Sequence, residues 1–216
     1  RSRGLGDVYK RQDSNLKNIT ADENFDTFSL SWYNNTDVDP ATGLTPYINM
    51  QKVLKVCHDF VDNFDTNFSN LLFIGQTGVG KTFLSNCIAR ALMDSCHSII
   101  YLTAGEFFDS FKSDDFKEFG SSKFDTSFFV ECDLLIIDDL GTEKASDYNF
   151  SNLFNTINER LLRRKSIIIS SNLEMPDIET RYSQRIFSRL VSAYSILRLF
   201  GDDIRCMKKL SPTKRS

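Results

Sequence analysis

The segment that most constrains this chain is GQTGVGKT, residues 75–82, with the apolar run LLFI before it. Four consecutive apolar residues ending at a glycine suit a strand covered on both faces, as in a parallel sheet. Gly75, Gln76, Thr77, Gly78, Val79, Gly80, Lys81 and Thr82 fit the pattern G-x-x-x-x-G-K-[ST]. Glycines so spaced let the backbone curl until successive N–H groups point at phosphate oxygens. The lysine of this pattern reaches the β- and γ-phosphates, and the hydroxyl after it ligates Mg²⁺. A helix beginning at Lys81 adds the positive end of its dipole. Phe83, Leu84, Cys87, Ile88, Ala91 and Leu92 recur at helical spacing and support that helix. Phe83, directly after the motif, joins the candidate nucleotide contacts.

The rest of the chain alternates strands with helices. Residues 48–64 carry one apolar stripe and predict a helix; residues 98–102 predict a second strand. Thr103 and Glu106 are spaced as a capping box, opening a helix expected to continue to Lys123. A third strand is expected over 134–137, a helix over 147–162, a fourth strand over 166–170, helix over most of 178–193 and a fifth strand over 195–200. This order means an α/β domain with a mostly parallel sheet. Residues 13–47 are polar, hold Pro40 and Pro46, and read as a linker; Phe25, Phe28, Leu30, Trp32 and Tyr33 can dock it on the core. The domain is then residues 48–210, with a tail at 211–216.

Acids and amides stand where strands end. LLIIDD places Asp138 beside the phosphate loop, where a carboxylate can hold Mg²⁺ through water. Asp139 is next, placed to orient and deprotonate an attacking water; Glu143 is the rival base. Asn172, after the fourth strand, can bond both the γ-phosphate and that water. Arg185 and Arg189 are four apart and share a helix face. An arginine presented there can reach a neighbouring subunit's nucleotide, a contribution of roughly 10³–10⁵ in rate.

The strings GQTGVGKTFLSNCIA, LLIIDDLGTE, INERLLRRKSIIISSNL, RIFSRL and FGDDIR, in this order, resemble the AAA+ ATPases of the helicase-loader type, the DnaC/DnaI group, with the IstB-like transposition helpers as close cousins. The resemblance covers about residues 25–209. It implies a P-loop three-layer sandwich with a five-stranded sheet of order 5-1-4-3-2 and no C-terminal lid, and hence no second sensor arginine. It also implies ATP and Mg²⁺ held at a subunit interface of a homo-oligomer. Lys81 and Thr82 become Walker A, Asp138 and Asp139 Walker B, Asn172 sensor 1, and Arg189 the finger, with Arg185 the alternative. Residues 106–123 then face single-stranded DNA, with Lys112 and Lys117 as candidate contacts among phenylalanines. The implied function is loading of a replicative helicase; the alternative is a helper that directs a transposase on duplex DNA. A small-molecule kinase would need an acceptor pocket, for which no segment offers itself.

Composition narrows the partners. The formal charge is −3, so general polyanion binding is excluded and any DNA contact must be a local patch. Five cysteines without a C-x-x-C read as reduced thiols of a cytoplasmic protein, and no apolar run is long enough to span a bilayer. DVYKRQ, residues 7–12, can be encoded by the end sequence of a sequencing transposon, so residues 1–12 are expected to be translated adapter, with a helicase-binding region lost upstream.

Overall fold

The five apolar runs become strands of one sheet. The computed structural model describes residue 20, residues 22–112 and residues 126–210. The strands are β1 (Leu71–Ile74), β2 (Ile99–Thr103), β3 (Leu134–Leu140), β4 (Ser166–Ser171) and β5 (Ser195–Arg198). Their order is β2-β3-β4-β1-β5 and every pairing is parallel, which is the expected 5-1-4-3-2 read from the other edge. The helices are α1 (Pro46–Asp62), α2 (Lys81–Asp94), α3 (Ala104–Lys112), α4 (Phe128–Glu131), α5 (Asp147–Leu162), α6 (Met175–Arg181), α7 (Gln184–Ala193) and α8 (Ile204–Leu210).

Side-chain alternation along the strands builds the three layers. Leu71 and Phe73 of β1, with Leu134 and Ile136 of β3, pack against Met50, Val53, Cys57 and Phe60 of α1 and Leu84, Ile88 and Leu92 of α2. Leu72, Ile74, Leu135, Ile137, Ile167 and Ile169 face the other way, onto Phe107 and Phe108 of α3, Leu153 and Ile157 of α5, and Ile186 and Leu190 of α7. With both faces covered, a parallel sheet suits such continuous apolar strands.

Local chemistry sets the element ends. Thr45 caps α1 by accepting from the Ile48 N–H, and Pro46 starts the helix two residues earlier than periodicity alone places it. The capping box at α3 is formed: Thr103 N–H donates to Glu106 Oε2 at 2.8 Å, and Glu106 N–H to Thr103 Oγ1 at 3.3 Å. The predicted continuation of α3 beyond Lys112 lies outside the described residues. The helix expected over most of 178–193 is divided between α6 and α7. Tyr182 and Ser183 between them are extended, and the Ser183 hydroxyl caps α7.

Residues 22–47 pack on the domain through the predicted aromatics. Tyr33 is buried at 7% exposure, and Phe25, Phe28, Leu30 and Trp32 are partly buried against the α1–α2 layer.

Candidate active site

The phosphate loop depends on two close approaches. Gly75 has φ +143°, and a Cβ there would lie 2.0 Å from the Leu199 carbonyl oxygen. Gly80 has φ +106°, with the Tyr33 hydroxyl 2.5 Å from where a Cβ would stand. Only glycine fits either place. Gly80 is also the N-cap of α2 and offers no side chain to its first-turn N–H groups, so these remain available to an anion. Lys81 is buried, and its Nζ donates to the carbonyl oxygens of Gly75 (2.6 Å) and Gln76 (2.7 Å) and to Asn172 Oδ1 (2.7 Å). Burial holds its ammonium below the usual lysine range; the Asp139 and Asp138 carboxylates oppose that shift.

β3 carries both aspartates to the same mouth by a bulge. Ile137 pairs with Ile169, yet Leu140 pairs with Ser171, so β3 spends one extra residue there. Asp139 takes φ +56° to do so, a left-handed conformation that Asp tolerates better than most residues. Ser170 fills the gap: its Oγ accepts the Asp139 N–H at 2.9 Å and donates to Asp138 Oδ1. Asp138 also accepts from the Thr82 hydroxyl (3.0 Å) and the Tyr101 hydroxyl (3.0 Å). Burial, then the Asp138 carboxylate, push the Tyr101 phenol up, which keeps it a donor.

Asn172 joins the two halves. While its Oδ1 accepts from Lys81, its Nδ2 donates to Asp139 Oδ1 at 3.3 Å. Burial and the adjacent Asp138 charge raise the Asp139 carboxyl above the ordinary carboxylate range, against the pull of Lys81, Arg205 and the Asn172 amide. A half-buried carboxylate with this affinity for protons, next to an amide and an ammonium, is suited to accept a proton from water.

The cleft over these groups has a second wall that the linker reading did not assign. Glu23, Thr27, Phe28, Trp32 and Tyr33 line it, opposite Thr77, Gly78, Lys81, Thr82, Phe83, Asp139 and Asn172. The Tyr33 hydroxyl donates to the Val79 carbonyl at 3.1 Å. Ile204, Arg205 and Lys208 of α8 close the third side. The Ile204 N–H donates to the Gly78 carbonyl at 3.1 Å, and Asp203 caps α8 beside Gly78. Arg205, the arginine of the FGDDIR string after β5, also lines the cleft.

Other candidates stand apart from this mouth. Glu143 is held between its own loop and the end of α6: Oε2 accepts the Gly141 N–H (2.8 Å), Oε1 accepts the Tyr182 hydroxyl (2.6 Å) and pairs with Arg181 (3.5 Å). Arg185 and Arg189 are exposed on α7 and do not line the cleft; Arg189 Nε donates to Asn158 at 2.8 Å. Lys112 is exposed and paired with Asp109 at 2.8 Å. Lys117 lies outside the described residues. Among the described residues, no helix is long and apolar enough to cross a membrane.

Known proteins resemble this chain in sequence and in fold. A family model described as IstB-like ATP binding protein matches residues 48–211. The replicative helicase loader DnaC of Escherichia coli strain K12 is 24% identical over 151 residues, 69% of this chain and 61% of that protein. The chain therefore spans about three fifths of that relative's length. The phage-like element PBSX protein XkdC of Bacillus subtilis is 31% identical over 53% of this chain and 44% of its own. Among solved structures, DnaI superposes with a TM-score of 0.64 at 22% identity, covering 90% of this chain and all of that one. The DnaC helicase loader gives 0.63 at 21%, covering 80% and 96%. AMPPCP-bound DnaA from Aquifex aeolicus gives 0.65 at 18%, covering 88% and 55%.

Proposed function

The chain belongs to the IstB-like ATP-binding protein family, and from that premise we propose that it is a Mg²⁺-dependent ATPase that loads a replicative helicase onto single-stranded DNA. The observation that carries the ATPase reading is the relay Lys81–Asn172–Asp139, one amide touching both the phosphate-loop cation and a half-buried carboxylate.

Each residue then has a task. Lys81 and the N–H groups opening α2 hold the β- and γ-phosphates. Thr82 and Asp138 present hard oxygen donors 3.0 Å apart, a donor set that suits Mg²⁺. When bound, that ion neutralises charge on the phosphates. Asp139 takes the proton from the attacking water, and Asn172 orients that water against the terminal phosphate. Glu143 is committed to Gly141, Tyr182 and Arg181, which favours Asp139 as the base. Arg205 adds positive charge from the α8 side. Arg189, with Arg185 one turn away, is free of the cleft of its own chain and serves the nucleotide of a neighbouring copy.

The loader reading draws on DnaC, similar in sequence over 69% of this chain, and on the solved DnaC and DnaI structures, similar in fold over 80% and 90% of it. The resemblance of the sequence motifs to the IstB-like transposition helpers supplies a second reading, a helper ATPase in transposition. Two experiments test the proposal. Lys81→Ala and Arg189→Ala should each abolish hydrolysis alone, and mixing them should restore part of it, because a Lys81→Ala subunit still lends its arginine. A mixture as inactive as its parts would refute an arginine acting between subunits. ATP-dependent binding to single-stranded over duplex oligonucleotides, with capture of a replicative helicase, is expected of a loader. Preference for duplex without helicase capture would transfer the protein to the transposition reading.

A further inference from the structure

One wall of the cleft carries a carboxylate that phosphate chemistry does not need. Glu23 lines the cleft, and its Oε2 accepts a hydrogen bond from Asn86 Nδ2. Asn86 is 1% exposed, and its Oδ1 has no partner. Its buried amide is thus devoted to gripping one oxygen of Glu23. Among the described residues, nothing bonds the other oxygen, Oε1. The loop that presents Glu23 is fixed: Asn24 Oδ1 accepts the N–H groups of Asp26 (2.9 Å) and Thr27 (3.0 Å).

Position says which part of a nucleotide this oxygen meets. Asn86 lies four residues after Thr82 and three after Phe83 on α2, so Glu23 stands one helical turn, about 5.4 Å, beyond the phosphate end. The neighbouring rings are Phe83 and Phe28, 5.5 Å apart, with Trp32 beside them under the Lys208 ammonium. Phe83 and Phe28 pack edge to face and so present an aromatic wall, against which a flat heterocycle can lie. A carboxylate oxygen at its edge accepts from an amino group and repels a carbonyl. Adenine offers an amino group at its 6-position, where guanine and hypoxanthine offer an oxygen. Guanine's paired N–H groups would need both carboxylate oxygens, and Asn86 holds one.

We propose that Glu23 is the nucleobase-specificity residue: Oε1 accepts from the 6-amino group of adenine, and Asn86 keeps the carboxylate aimed. This rests on the ATP reading above. The test uses the single tryptophan, Trp32, as the binding reporter. Titrations with ATP, inosine triphosphate and inorganic triphosphate, all with Mg²⁺, compare ligands differing at one ring position or lacking the ring. The unmodified protein should favour ATP over inosine triphosphate by about tenfold to a hundredfold, as expected for one hydrogen bond to a charged group. Glu23→Ala should erase that preference and leave inorganic triphosphate binding unchanged. Equal binding of ATP and inosine triphosphate by the unmodified protein overturns the proposal, as does a preference that survives in Glu23→Ala. If Glu23→Ala also loses triphosphate, the two-ligand comparison on the unmodified protein decides alone. Failure of the unmodified protein to bind triphosphate at all would remove the nucleotide reading itself.

Discussion

Replacing Ser170 by alanine is the sharpest probe of the acidic strand. Ser170 is fully buried, and its hydroxyl makes two bonds: it accepts the Asp139 N–H and donates to Asp138. Alanine removes one atom and takes that partner from the buried Asp138 Oδ1 and the part-buried Asp139 N–H. A neutral hydrogen bond contributes about 0.5–1.5 kcal/mol and one to a charged group about 1.5–3, so the loss should be about 2–4 kcal/mol. That is a large share of the roughly 5–15 kcal/mol that holds a typical domain folded. Urea unfolding followed by far-UV circular dichroism measures it, with an unchanged denaturant slope showing that only stability moved. The bulge also loses its pin, so hydrolysis should fall with stability. Combining Ser170→Ala with Asp138→Asn tests the source: the two losses should add up to less than their sum, because they share a bond. A loss below about 1 kcal/mol, or strict additivity, would refute the account of how β3 presents its two acids.

Three further outcomes are expected. The Asp139 carboxyl is raised, so the fold binds its proton more firmly than the unfolded chain does; that stabilisation is full below the ordinary carboxylate pKa and is lost as pH rises through the raised value. Asp139→Asn should therefore unfold at a higher temperature than the parent at pH 7, with the gap closing as pH approaches about 4, while hydrolysis is lost; a lower midpoint at pH 7 would contradict the burial argument. Gly75→Ala should cost at least about 1–3 kcal/mol in chemical denaturation from its backbone conformation alone, because its Cβ meets main chain at Leu199, which cannot swing aside. Lys112→Glu should weaken single-strand binding and lower the salt slope by less than about one, since Asp109 already shares that charge; an unchanged slope removes Lys112 from any DNA surface.

Much of the architecture was legible because it rests on periodicity. LLFI, LLII and SIII are apolar without alternation, which only a sheet covered on both faces explains, and α5 begins and ends where its stripe does. The phosphate loop was legible because its spacing is itself the mechanism. What escaped depends on pairing between distant strands. Nothing local marks Ser170 or Tyr101, since their hydroxyls matter only because β2 and β4 flank β3. The bulge escaped because two adjacent aspartates read equally well as a strand end. The break between α6 and α7 had a signal in Pro176, which starts a helix near Met175 and so separates it from the later stripe. Residues 22–47 read as a linker because polar composition outweighs five scattered aromatics. Arg205 lay in a short polar stretch whose path over the phosphate loop no pattern reveals.

The wall formed by residues 22–33 has a practical consequence. The match to the family model starts at residue 48, and a recombinant fragment trimmed to that boundary would keep every motif residue yet leave the proposed nucleotide cleft open on one flank. Whatever peels this flap from Val79 and Gly80 must weaken nucleotide retention, and a tightly held nucleotide must in turn fasten the flap by the same free energy. The stretch that looks most expendable on paper is thereby coupled to how long a nucleotide in this cleft would stay.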